Sequence, residues 1–129
     1  MIKLIGVCLL SIAALATLGG CDLMSHTHCD DEILTQHRSP DGNYVAVLYH
    51  RSCANKTGLY TCVNIKEGPG AVSSQRETQP ILTLRGFHEI HAIWINQNSL
   101  EITSTGLKDQ RMVLTQENSW KDIRISYKN

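Results

Sequence analysis

Ser39-Pro40-Asp41-Gly42, followed by Asn43 to His50 (NYVAVLYH), is the stretch from which the fold is read. Proline presets φ at the second position of a turn, aspartate bonds the local backbone, and glycine accepts a left-handed conformation. The eight residues after the turn are β-branched, aromatic and aliphatic. Tyr44, Ala46 and Leu48 point one way, while Val45, Val47 and Tyr49 point the other. Both faces are therefore apolar, which predicts a central strand covered on both sides.

Working toward the C-terminus, Arg51 to Leu59 reads as a loop. Tyr60 to Lys66 reads as the return strand, with Thr61, Val63 and Ile65 on one face. Glu67 to Pro80 carries Gly, Pro, Ser and charge without periodicity and is the longest irregular connection. Ile81 to Arg85 is a further short strand. In Glu89 to Asn96, Ile90, Ala92 and Trp94 alternate with His91, Ile93 and Ile95. Leu100 and Ile102 face inward between Glu101 and Thr103, after a turn at Asn96-Gln97-Asn98. Gly106 to Asp109 turns the chain again, and Met112 and Leu114 alternate with Arg111, Val113 and Thr115. A last turn at Glu117-Asn118-Ser119 precedes Ile123, Ile125 and Tyr127. Short strands at this spacing predict an all-β fold, a small antiparallel meander or sandwich of seven to eight strands. The segment expected to be helical is the N-terminal signal peptide.

Working toward the N-terminus, β patterning starts at Glu32, and Cys21 to Asp31 (CDLMSHTHCDD) is polar and non-periodic, as a tether is. Before it, Met1-Ile2-Lys3 leads into an apolar core from Leu4 to Leu18, followed by Gly19-Gly20-Cys21. A basic start, a short apolar core and small residues are the pattern of a secretory signal peptide. The core is shorter than the roughly 20 apolar residues that a spanning helix needs. Leu18-Gly19-Gly20-Cys21 resembles the bacterial lipobox. The resemblance implies a cut after Gly20 and a diacylglyceryl group on the Cys21 thiol. It divides the chain into a signal peptide (1–20), a lipidated tether (21–31) and a β domain (32–129). Two or three buried acyl chains anchor stably, at about 0.8 kcal/mol per methylene. Asp22 resembles the enteric signal that keeps lipoproteins in the inner membrane, so the expected location is the cell membrane, facing the periplasm.

Once Lys3 leaves with the signal, eleven basic side chains face twelve acidic ones, with no basic run or stripe. That balance argues against nucleic acid or an acidic lipid surface as the partner. Of the five cysteines, Cys8 belongs to the signal and Cys21 to the lipid, leaving Cys29, Cys53 and Cys62 in a disulfide-permitting compartment. One bridge and one free thiol follow. Chain entropy favours Cys29–Cys53 by about 3.5 kcal/mol and Cys53–Cys62 by about 2.7, too close to choose.

Ser39-Pro40-Asp41-Gly42-x-Tyr-x-Ala-Val, with Trp94 and Asn98-Ser99-Leu100-Glu101-Ile102, resembles the repeats of TolB-type propellers. Residues 21–129 cannot supply four blades, so the resemblance implies blade-like sheet geometry in a smaller package. A closer resemblance, over about residues 29–105, is to small bacterial lipoproteins of unknown function. It rests on Cys29, Ser39 to Val47, Arg51-Ser52-Cys53 and Thr57-Gly58. It implies a Cys29–Cys53 disulfide, with Cys62 left free, and no assigned chemistry.

Candidate sites are sparse. His26 and His28, beside Cys29, Asp30 and Asp31, form a ligand-rich tract that suits a transition metal, although a disulfide at Cys29 would remove the thiolate. The expectation there is a solvated tether, with no metal or cofactor. His88 and His91 stand three apart, which on a strand sends them to opposite faces. Neither Cys53 nor Cys62 lies in a nucleophile motif. Tyr44, Tyr49, Tyr60, Trp94, Trp120 and Tyr127 read as core or sheet-face residues, the alternative being a binding face. The expectation is a non-catalytic, membrane-anchored domain that binds or supports an envelope protein or assembly. Two alternatives are an inhibitor of a hydrolase such as lysozyme, and envelope metal binding through His26 and His28.

Overall fold

The computed structural model describes residues 29–53, 58–68 and 79–129. Among them the chain is all β, in nine strands: β1 (Cys29–Arg38), β2 (Tyr44–Cys53), β3 (Gly58–Glu67), β4 (Leu82–Arg85), β5 (Ile90–Asn96), β6 (Ser99–Ser104), β7 (Val113–Gln116), β8 (Ser119–Trp120) and β9 (Ile123–Lys128). They form a five-stranded sheet, ordered β1-β2-β3-β4-β7, and a four-stranded sheet, ordered β5-β6-β9-β8.

The Ser39–Asn43 turn forms as its residues dictate. Gly42 has φ of 79°, its N–H donates to the Ser39 carbonyl at 2.8 Å, and Ser39 N–H donates to Tyr44 O at 2.8 Å. Asp41 accepts from the Ser39 hydroxyl and from the Asn43 N–H. Beyond the turn, β2 lies between β1 and β3 and buries every residue from Val45 to Leu48 and Tyr49. Its inner face (Ala46, Leu48) joins Val63, Ile65, Leu82 and Leu84 of its own sheet to Ile90, Leu100, Ile102, Ile123 and Ile125 of the other. Its outer face (Val45, Val47, Tyr49) clusters with Cys62, Ile33 and Tyr60.

Five features depart from the expected pattern. Strand pairing begins at Cys29, three residues earlier than the expected Glu32: Cys29, Asp30 and Asp31 pair with Cys53, Ser52 and Arg51. A bulge at Leu34 then shifts the register, so that Asp31 and Ile33 share the outer face with Tyr49 whereas Thr35 and His37 lie opposite Leu48 and Ala46. The antiparallel rule fails once, because β6 and β9 run parallel. After β6 the chain crosses through two 3-10 turns (Thr105–Lys108 and Gln110–Met112) to place β7 beside β4, then returns as the β8–β9 hairpin. Met112 is thereby drawn into a turn, and Val113 rather than Leu114 packs on the core. The count of nine exceeds seven to eight because two-residue β8 is too short to leave a periodic signal.

At one seam the edges of the two sheets meet. The Trp94 indole N–H donates to the His37 carbonyl at 2.8 Å, giving a half-buried indole the partner it needs. Ile93 and Ile95 point outward from β5, each 59% exposed, as their alternation with Ile90 and Ala92 requires.

Candidate functional site

Cys29 and Cys53, the first paired residues of β1 and β2, are joined in a disulfide, and Cys62 is free and buried. Cys21, His26 and His28 lie outside the described residues. Asp30 and Asp31, expected to be tether, belong to β1. Asp31 accepts from Arg51 Nε at 2.7 Å and from Nη2 at 2.9 Å, a bidentate fork across the β1–β2 ladder. Cys29 is spent in the bridge. Among the described residues no group of three or more His, Cys, Asp or Glu is arranged to hold a metal.

Around that fork lies a polar network on the outer face of the five-stranded sheet. The Arg51 guanidinium sits 5.4 Å from the centre of the Tyr49 ring, and the Tyr49 hydroxyl donates to Asn64 Oδ1 at 2.8 Å. Burial pushes the Tyr49 phenol and the Cys62 thiol upward, so both stay protonated. The Asp31 carboxylate, accepting from Arg51, raises the guanidinium further, against the opposing effect of burial. These groups satisfy one another, and a raised thiol is the opposite of an activated nucleophile.

His88 precedes β5 and His91 lies on it, and they separate. His88 Nε2 donates to the Arg85 carbonyl at 2.7 Å, whereas His91 Nε2 lies 3.1 Å from Glu89 Oε2. The 3-10 turn after β6 presses on the His88 ring so closely that a Cβ at Gly106 would come within 2.8 Å of it.

A second constellation lies at the far end of the sheet, where the β1–β2 turn, the end of β3 and the β8–β9 hairpin converge. Tyr44 and Trp120 meet edge to face, with centroids 5.9 Å apart at 88°. Lys121 Nζ stands 5.0 Å from the Trp120 ring centre and donates to Glu67 Oε2. Trp120 pairs with Ile123, so Lys121-Asp122 is the whole hairpin turn, and Lys121 takes φ of 53°. A side chain there costs about 1 kcal/mol that glycine would not. Two clefts flank the aromatic pair, each of about 480 Å³. Tyr44 and Glu67 line one, and Trp120, Lys121 and Glu117 line the other.

Both constellations escape local sequence reasoning. By local pattern Asp31 reads as tether and Arg51 as loop, and Tyr44, Glu67 and the Trp120-Lys121 pair are brought together from three distant points of the chain. The visible signal was an aromatic residue at a strand end beside a turn, which does not say what it meets. No protein-family model, curated protein or solved structure matches this chain. What the fold defines is its class, a two-sheet all-β domain.

Proposed function

We propose that this chain is a bacterial lipoprotein, anchored through Cys21, whose β domain binds or supports an envelope protein or assembly without catalysis. The carrying observation is the placement of Leu18-Gly19-Gly20-Cys21 just ahead of Cys29, where β1 begins and is bolted to β2. Residues 22–28 then separate a membrane attachment from the folded domain, and a disulfide in its first strand pair suits an oxidising compartment. The absence of family matches leaves the resemblance to small uncharacterised lipoproteins resting on Cys29, Ser39 to Val47 and Arg51 to Cys53. Mutual pairing of Asp31 with Arg51 and of Tyr49 with Asn64, beside a protonated Cys62, supports a structural rather than a chemical use of those groups.

The test is the intact mass of membrane-extracted protein, alkylated before and after reduction. The expected species begins at Cys21, carries acyl groups and contains a single Cys29–Cys53 bridge. Cys21→Ser should leave the precursor uncut and unacylated. An unlipidated mass, or free thiols at Cys29, Cys53 and Cys62 together, refutes the anchor or the compartment. With the anchor in place, cross-linking in the envelope identifies the partner.

A further inference from the structure

Two exposed apolar side chains adjoin at the end of the domain where β1 begins. In the register of the first three strands, Cys29 lies opposite Cys53 and Cys53 opposite Gly58, so the chain enters beside the start of β3. Leu59, the next residue, is 50% exposed, and Phe87, in the β4–β5 connection, is 48% exposed. They are brought together because Gly86 N–H donates to the Leu59 carbonyl at 2.6 Å. The connection is clamped. Gly86 takes φ of 91°, its carbonyl accepts from the Thr61 hydroxyl at 2.8 Å, and His88 N–H donates to Thr61 Oγ1 at 2.9 Å. The His50 ring stacks on Phe87, with centroids 4.0 Å apart at 3°. His50 Nε2 is thereby buried without a hydrogen-bond partner among the described residues, a cost that an ordinary surface loop does not carry. Phe87 is fixed on one face and open on the other, and with Leu59 it forms a contact patch.

Chain length and charge identify what covers it. Eight residue steps separate Cys21 from Cys29, and they span at most about 28 Å. β1 has ten residues and carries the Tyr44–Trp120 end roughly 33 Å further from the attachment point. A bilayer tethered at Cys21 therefore meets the Leu59–Phe87 end at high effective concentration, where a weak contact suffices. The exposed charges at that end, Arg85 and Lys108 against Asp30, Glu32 and Glu89, hold no basic excess, so the contact is apolar and does not depend on anionic lipid. Phe and Leu are side chains that settle at the boundary between headgroups and acyl chains. We propose that Leu59 and Phe87 dock on the bilayer that holds Cys21, which stands the domain upright with its Tyr44–Trp120 end outward. This rests on the lipoprotein reading of Cys21.

The experiment places the acylated protein, purified from membranes, in nanodiscs of phosphatidylcholine and phosphatidylethanolamine with a gadolinium chelate on some headgroups. Intact mass reads the anchor, and loss of amide NMR signals reads the orientation. Leu59 and Phe87 should lose more signal than Asp30, although Asp30 is nearer the anchor in sequence, while Asn43, Gly68 and Lys121 keep theirs. Leu59→Ser and Phe87→Ser should each erase that ranking with the acyl mass unchanged. Leu59→Ser leaves the His50 stack intact, so its effect is independent of loop stability. An unacylated mass overturns the anchor and this docking with it. An acylated protein with losses greatest at Asp30, spread evenly, or centred on Ile93 and Ile95 overturns the docking alone, as does a Leu59→Ser variant that behaves like the parent.

Discussion

The two faces of the five-stranded sheet are made by the same strands and held by different forces. On the inner face, Ala46, Leu48, Val63, Ile65, Leu82 and Leu84 meet the aliphatic side chains of the second sheet, and burial alone supplies the stabilisation. On the outer face the apolar cluster is small, and Asp31, Arg51, Tyr49 and Asn64 surround it with directional contacts. β2 serves both, because its alternation places Leu48 on one side and Tyr49 on the other. The inner face should tolerate changes of shape that preserve volume. The outer should tolerate changes of volume better than the loss of one hydrogen-bonding partner.

The inner face gives the largest effect. Ile65→Ala removes a fully buried side chain between the two sheets, where neighbours on every side limit collapse. The expected cost is about 4 kcal/mol in urea unfolding, and Ile65→Leu should recover most of it. A smaller loss for Ile65→Ala than for the outer-face variants below would reverse the ranking of the faces.

Next is the disulfide. Closing residues 29–53 stabilises by about 3.5 kcal/mol on the chain-entropy account. The loss should be regional. β1 is an edge strand that brings Asp31 and Ile33 to the outer face, so Cys29→Ser with Cys53→Ser should loosen that face first. Alkylation of Cys62, followed by peptide mapping, should accelerate while amide exchange in β6 and β9 stays slow. Equal acceleration in both regions would show that the faces unfold as one unit.

These contrasts also mark what the amino-acid pattern could convey. NYVAVLYH declared a strand apolar on both sides, and Leu100, Ile102, Ile123 and Ile125 declared their inward positions, because alternation is a local property of one strand. The Ser39–Asn43 turn was equally legible, since its residues carry their own geometry. The parallel β6–β9 pair was not, because partner choice depends on the crossover that sends β7 to the other sheet. The bulge at Leu34 hid the face change along β1, so Asp31 read as tether instead of as Arg51's partner. Trp120 was legible as an apolar residue, but its meeting with Tyr44 and Lys121's reach to Glu67 depend on how two sheets cross. Disulfide pairing stood between these cases. Entropy left Cys29–Cys53 and Cys53–Cys62 open, resemblance pointed to the first, and the register of β1 on β2 forms it.

The outer-face fork gives a middle-sized effect. Arg51 and Asp31 are 23% and 17% exposed, so some water reaches them and the full penalty of a buried charge does not apply. Arg51→Met should cost about 2 kcal/mol, below the range for breaking a wholly buried pair. The double variant Asp31→Leu with Arg51→Met should return to within about 1 kcal/mol of the parent, because no charge is then left alone. If the double variant is as unstable as the single one, the fork stabilises by more than cancelling its own desolvation, and the outer face depends on polarity more strongly than proposed.

The smallest effect lies on the inner side, where His37 approaches the seam between the sheets. Burial, and secondarily the nearby His91, lower its pKa below the ordinary 6.5. The folded state therefore takes up this proton less readily than the unfolded chain. Stability is complete above about pH 6.5 and declines as pH falls from there through the lowered folded value, since the unfolded state then binds more protons. Comparing urea midpoints near pH 7.5 and near pH 5.5, the parent should lose more stability than His37→Gln. His37 also lends its carbonyl to the Trp94 indole, a backbone contact that glutamine keeps. Any difference between parent and variant is thus assignable to the imidazole. A parent and variant with the same pH slope would mean that the seam accepts a charge freely. The inner side would then be wetter at β1 than its aliphatic centre implies, and the contrast between the faces would stop short of the β1–β5 edge.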